Sequence, residues 1–181
     1  LGLDTRDFTA ESPPAADRPP TVGYLARLAP EKGLHQLADA FLELRSQPGC
    51  ENARLRIAGW LGGHHREYAE QILAKLHAAA PGAVDHVGEV DRRGKLEFLR
   101  SIDVLSVPTT YRDPKGLYVL EALAAGVPVV QPNHGAFPEV LQDTGGGVLV
   151  APDDPKELAA ALADMLRNPE RRRELAREGR T

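Results

Sequence analysis

The residues best suited to chemistry lie in residues 111–126, YRDPKGLYVLEALAAG, where two carboxylates, Asp113 and Glu121, stand eight positions apart around a predicted helix start. A strand-like run, 104–107, leads into a turn rich in Pro and Thr. Leu117, Leu120, Leu123 and Ala124 then recur at helical spacing until Gly126 ends the pattern. A helix beginning near Gly116 offers unpartnered N–H groups and the positive end of its dipole, a seat for phosphate that glycine lets a ligand approach closely. Asp113 falls in the loop just outside. Glu121 lies one turn inside, and helical side chains lean towards the N-terminus, so both carboxylates can face one pocket mouth. Ionised carboxylates only accept hydrogen bonds, which matches the hydroxyls of a ribose or hexose. The pair is expected to hold a sugar nucleotide.

Positive charge comes from a second segment. Arg27 directly follows a strand-like run, 21–26, and Lys32 stands five residues later, before Gly33 opens a helix. Two cations and a helix N-terminus suit one diphosphate, although such a pair taken alone is more commonly a set of solvated loop charges. The histidines offer less. His64 and His65 are adjacent without further ligand spacing; His134 follows a strand beside GAFPE, where Glu139 supports the loop; His35, His77 and His86 lack a convincing partner set. The single cysteine, Cys50, excludes an intrachain disulfide and gives no metal spacing. No metal or cofactor is expected.

These groups need a scaffold, and the chain supplies strand and helix in alternation. Strands are expected at 21–26, 55–58, 84–87, 104–107, 127–131 and 148–150. The intervening helices present Leu34, Leu37, Ala38, Phe41 and Leu44, then Tyr68, Ile72, Leu73 and Leu76, then Leu96, Leu99 and Ile102. Asp91 and Asp154 read as N-caps, with Pro155 at the first helical position and Glu157 three after the cap. The last helix, after Asn168 and Pro169, mixes Arg171, Arg172, Arg173 and Arg177 with Glu170, Glu174 and Glu178. It reads as a solvated, charge-laced surface, with a basic patch for an acidic membrane or acceptor as the rarer role. Six strands alternating with helices imply an α/β, Rossmann-like three-layer domain with a mostly parallel sheet and ligands beyond the carboxyl ends of its strands.

With 181 residues and 42% hydrophobic content the chain suits one domain, and its net charge of −4 argues against a broad nucleic-acid surface. It has no apolar run of the roughly 18 residues a membrane span needs and no signal-peptide pattern, so a soluble, cytoplasmic protein is expected. It starts at Leu1 and passes through ESPPAADRPP, which reads as the end of a linker and suggests a fragment.

Read in order, GYLARLAPEKG, GEV, SIDVLSVPTTYRDPKGLYVLEALAAGVPVV, GAFPEVL and GGGVLVAPDDPKELAAAL resemble the C-terminal, donor-binding half of family 4 (group 1) retaining glycosyltransferases of the GT-B fold. LGLDTRDF resembles the linker joining the two halves. The resemblance implies a linker remnant over 1–20, a nucleotide-sugar donor domain over 21–181, and an acceptor site in an N-terminal half that this fragment lacks, leaving it inactive alone. The full-length protein would take a UDP-, GDP- or ADP-sugar and work in the cytoplasm, with the inner membrane face as a candidate contact.

By the same resemblance Arg27 and Lys32 hold the diphosphate, Glu121 binds the ribose and Asp113 faces the donor sugar. Backbone groups of Gly116 and Leu117 meet the diphosphate or sugar, and Gly88, Glu89 and Val90 lie beside the base. Two residues depart from the family pattern: Asp113 replaces a glutamate, and Lys115 replaces an apolar aromatic, where it would meet donor phosphate or an acidic sugar. A non-catalytic sugar-nucleotide module and a plain interaction scaffold remain alternatives. RLAPEKG lacks the GxGxxG turn of a dinucleotide oxidoreductase.

Overall fold

The computed structural model describes residues 18–180; of the linker expected over 1–20, residues 1–17, LGLDTRDF included, lie outside them. Six strands, β1 (Thr21–Leu25), β2 (Arg54–Ala58), β3 (Val84–Gly88), β4 (Val104–Leu105), β5 (Val129–Pro132) and β6 (Gly147–Val150), form one sheet in the order β3-β2-β1-β4-β5-β6. Every pairing is parallel. The chain runs outwards from β1 through β3, returns to β4 beside β1, and runs outwards the other way. The reversal opens a crevice at the carboxyl ends of β1 and β4.

Among the described residues seven α-helices cover the sheet: α1 (Leu34–Arg45), α2 (Arg66–Ala79), α3 (Arg92–Arg100), α4 (Leu117–Ala124), α5 (Phe137–Thr144), α6 (Pro155–Arg167) and α7 (Pro169–Glu178). One face of the core joins Leu37, Phe41 and Leu44 of α1 to Leu76 of α2 and Leu158 and Leu162 of α6. The other joins Phe98 and Leu99 of α3, Val119 and Leu123 of α4, and Phe137 of α5 to Leu25, Leu105 and Val129 of the sheet. Each helix is too short to be stable alone in water, and packing on the sheet, or for α7 on α6, supplies the apolar contact that stabilises it.

The apolar spacing located most elements, with three local differences. In α4 the buried positions are Val119, Ala122 and Leu123, while Leu117 is exposed and Leu120 and Ala124 are half-buried. In α3 the inward face is Phe98, Leu99 and the following Ile102, while Leu96 is only half-buried on the flank. Positions 98, 99 and 102 form a tighter helical stripe than 96, 99 and 102, and they place the aromatic ring in the core. The fourth strand ends at Leu105, short of the expected 107. Beyond it, the buried Gln131 amide replaces a ladder: Val107 N–H donates to Oε1 at 2.8 Å and Nε2 donates to Val107 C=O at 3.2 Å. The strands can therefore part towards the crevice without orphaning a buried peptide group.

Helix ends follow their caps. Asp91 accepts from Gly94 N at 2.7 Å, and Asp154 accepts from Lys156 N at 3.1 Å and Glu157 N at 2.9 Å. The arginine-rich α7 is largely solvated, but Arg172 donates to Met165 and Leu166 C=O, both at 2.7 Å, closing the end of α6. At the opposite end of the sheet from the crevice, Asp103 takes both Arg18 guanidinium nitrogens at 2.9 and 3.1 Å and Thr21 N at 2.7 Å. Cys50 is a buried free thiol in the core.

Candidate functional site

The loops beyond the strands are zipped together by backbone hydrogen bonds. Leu28 N donates to Trp60 O at 2.9 Å, Gly59 N to Gly88 O at 2.9 Å, Thr110 N to Glu31 O at 3.0 Å and Ala136 N to Asp113 O at 2.9 Å. Segments following β1, β2, β3, β4 and β5 thus share one rim. Gly33 makes a very close approach: its φ is 72°, and a Cβ there would fall 1.8 Å from Pro108 O. Only glycine lets the first loop lie on the fourth, and that contact brings Lys32 to Asp113.

Lys32 ends a short 3-10 turn, Pro30–Lys32, and is buried. Its Nζ donates to Asp113 Oδ2 at 2.7 Å and to Tyr111 OH at 2.8 Å, and lies 5.0 and 5.2 Å from the ring centres of Tyr111 and Tyr118. Two of the three ammonium donors are therefore used by described residues, leaving one for an anion. Arg27 is exposed, with a 3.4 Å contact to Glu31 that solvent screens. Its charge remains usable at the rim.

Asp113 is only 5% exposed. Oδ2 accepts from Lys32 Nζ and, at 3.0 Å, from Tyr118 OH; Oδ1 accepts from Lys115 N at 3.1 Å and Gly116 N at 3.0 Å. Burial alone would raise its pKa, but the Lys32 hydrogen bond, the Gly116 and Lys115 N–H groups and the Lys32 charge together hold the carboxyl well below the usual carboxylate range. Tyr118 shifts the other way: burial, then the Asp113 charge, push its pKa far above the tyrosine norm, so its hydroxyl stays a donor. The short side chain of Asp113 keeps the carboxylate at the base of the loop, facing Lys32, where the family resemblance had it facing the donor sugar.

Gly116 caps α4 in the left-handed region at φ 52° and has the Phe137 ring 2.8 Å from where a Cβ would stand. Asp113 already occupies the Lys115 and Gly116 N–H groups, and Val119 N turns back to Gly116 O at 2.8 Å. The open donors of α4 among the described residues are the N–H groups of Leu117 and Tyr118. Glu121, a turn further in, accepts from Lys95 Nζ of α3 at 2.7 Å, with its side chain 16% exposed. The two carboxylates do not share a partner: each is tied to a different lysine.

Gly88 ends β3 at φ 85° with open space where a Cβ would stand; Glu89 beyond it is exposed and Val90 packs against the α3 side of the core. Lys115 has an exposed side chain. His134 Nε2 lies 3.2 Å from Thr109 Oγ1, and His35 Nδ1 lies 2.8 Å from Tyr68 OH, partners that linear spacing did not show. Lys95, Tyr111 and Tyr118 were also missed by sequence reasoning. Tyr111 and Tyr118 flank Asp113 in the motif itself, whereas nothing about Lys95 marks it before α3 is docked on α4. Among the described residues no group of three His, Cys, Asp or Glu could hold a metal, and no helix is long and apolar enough to cross a membrane.

The family described as glycosyl transferases group 1 matches residues 5–181, nearly the whole chain. The chain belongs to the group 1 glycosyl transferases. A phosphatidyl-myo-inositol mannosyltransferase of Mycobacterium leprae is 37% identical over 156 residues, covering 82% of this chain and 37% of that protein. A glycogen synthase of Mycobacterium tuberculosis is 35% identical over 179 residues, covering 92% of this chain and 40% of its own length. This glycosyl transferase chain thus spans about two fifths of these curated relatives. In fold it superimposes on the C-terminal domain of a group 1 glycosyl transferase from Francisella tularensis at a TM-score of 0.83, with 21% identity, covering 99% of this chain and 95% of that one. The Anabaena protein HepE, solved with UDP and glucose, superimposes at 0.80 with 21% identity, covering 90% of this chain and 42% of that one. The six-stranded, Rossmann-like α/β fold therefore matches that of GT-B glycosyltransferase structures.

Proposed function

We propose that this chain is the donor-binding half of a retaining glycosyltransferase that moves a hexose from a nucleoside-diphosphate sugar to a hydroxyl acceptor. The observation that carries the reading is the Lys32 ammonium held by Asp113 beside the open N-terminus of α4 at the β1–β4 reversal, with Arg27 exposed on the same loop as Lys32 and Glu121 one helical turn along α4. Breaking the bond between sugar and nucleoside diphosphate leaves negative charge on the leaving group. Cations and N–H dipoles fixed in place beforehand stabilise that charge most in the transition state, which lowers the barrier. Each charge-assisted hydrogen bond to the diphosphate contributes roughly 1.5–3 kcal/mol. Glu121 would accept from the ribose hydroxyls, and the Gly88–Val90 turn would lie along the base. Lys115, exposed at the mouth, would meet the donor phosphate or an acidic sugar. Acceptor groups would come from the remaining length of the protein, and the chain alone would not turn over.

UDP is the first probe, because HepE was solved with it. The experiment is a calorimetric panel of UDP, GDP, ADP and their sugars on this chain, compared with Lys32→Ala and Glu121→Ala. Ligand at a hundred times its Kd stabilises a folded protein by about 2.7 kcal/mol, so a thermal shift should accompany binding. Binding to the parent chain with loss in both variants is expected. No response to any nucleotide would overturn the reading. A second reading, a sugar-nucleotide module without turnover, is favoured by the internal engagement of Asp113. Donor binding by the full-length protein with neither transfer nor donor hydrolysis would select it.

A further inference from the structure

We propose that Tyr118 is a positioning residue: its hydroxyl fixes the Asp113 carboxylate, and through that carboxylate the Lys32 ammonium that meets the donor diphosphate. The proposal rests on the donor-binding reading above and adds to it a residue that the sequence motif did not single out. Tyr118 is the second residue of α4, and helical side chains lean towards the N-terminus, so its hydroxyl reaches back five positions to Asp113.

Asp113 Oδ2 receives Tyr118 OH at 3.0 Å and Lys32 Nζ at 2.7 Å, while Oδ1 is saturated by two backbone N–H groups. Both oxygens are therefore fixed, and the carboxylate cannot rotate without breaking several bonds. Tyr118 also places its ring 5.2 Å from the ammonium, with the Tyr111 ring at 5.0 Å. One carboxylate, one hydroxyl and two aromatic rings thus hold a single buried cation.

The arrangement explains how the shorter carboxylate is accommodated. Asp113 stays at the loop base, and Tyr118 supplies a second donor to the oxygen that faces Lys32. Burial and the neighbouring charge keep that hydroxyl protonated, so it donates throughout the physiological range. A hydroxyl in this position adjusts the place of the cation and leaves the nucleoside untouched. Its effect should therefore appear in diphosphate recognition alone.

Tyr118→Phe keeps the ring and the packing while removing the hydroxyl. Two readouts on the 181-residue chain separate the roles. UDP and uridine affinities would be measured by calorimetry, and acetylation of Lys32 by acetic anhydride would be timed by mass spectrometry, with thermal unfolding as a folding control. UDP affinity is expected to fall roughly 3- to 10-fold, the value of one hydrogen bond, with uridine affinity unchanged and Lys32 acetylation faster. Unchanged UDP affinity and unchanged acetylation would overturn the proposal, as would an equal loss for UDP and uridine. Failure of the unmodified chain to bind any nucleotide would count against the donor-binding reading instead, and the acetylation rates would still decide whether Tyr118 positions Lys32.

Discussion

Replacing Asp113 with Asn tests whether the Lys32–Asp113 contact is an organising interaction of this site. Asn keeps one oxygen for the Lys115 and Gly116 N–H groups but turns Oδ2 into an NH2 that faces two donors, Lys32 Nζ and Tyr118 OH. The Lys32 ammonium loses a charge-assisted bond, worth about 1.5–3 kcal/mol, and the Tyr118 hydroxyl, which can turn to accept from the new NH2, exchanges a bond to an ionised oxygen for a neutral one, a loss of about 1 kcal/mol. The sum, roughly 2.5–4 kcal/mol, overlaps the ~3–5 kcal/mol expected when a buried ion pair loses one member. For a chain of this size that corresponds to a fall in Tm of about 5–16 °C. Lys32→Met should cost about half as much, because the carboxylate it abandons keeps three donors. The folded carboxyl titrates below its unfolded value of about 3.9, so its contribution is complete above that pH and is lost as pH falls through the folded value. The gap between parent and Asp113→Asn should hold from pH 8 to about pH 5 and narrow below about pH 4. Thermal and urea unfolding across that range provide the assay. A fall under 2 °C at pH 7, or a Lys32→Met variant less stable than Asp113→Asn, would refute the reasoning.

Gln131→Leu leaves the Val107 N–H unpaired in the core, while the Val107 C=O keeps Thr109 N at 2.8 Å, and should destabilise by roughly 1–3 kcal/mol in urea unfolding; a neutral result would show the loop closing another way. Gly33→Ala drives a methyl into Pro108 O and should separate the first and fourth loops, with a large loss of Tm. Gly88→Ala, which meets open space, should cost only the left-handed strain of about 1–2 kcal/mol, and equal costs at the two sites would contradict the geometry. Lys95→Met removes the partner that orients Glu121, and calorimetry with uridine should show affinity reduced roughly 2- to 5-fold, the scale of one hydrogen bond.

The fold was legible because burial writes a period into the chain. Leu34, Leu37, Ala38, Phe41 and Leu44 mark the inner side of α1 at helical spacing, and all five are buried. Asp91 and Asp154 were legible as caps because capping is local, set within three residues. The end of β4 was not legible, since Val107 reads as strand and its pairing with a side chain 24 residues away leaves no periodic trace. The same distinction divides the site. Gly116 at the start of α4, and Glu121 one turn beyond it, follow from the motif alone.

Sequence by itself determined the family, the alternating strands and helices, and the types of group gathered at the rim: two cations, two carboxylates and a glycine-capped helix. Such features are local in the chain, or recur in order along it. Tertiary structure alone decided which charge meets which. Asp113 and Lys32 are 81 residues apart, and Glu121 and Lys95 are 26 apart. Whether each carboxylate faced a sugar or a lysine depended on how the helices docked and how closely Gly33 let the first loop approach the fourth. The physical reason lies in the energetics: a buried carboxylate is stable only where the fold brings enough donors to replace its water, and those donors come from elements distant in sequence.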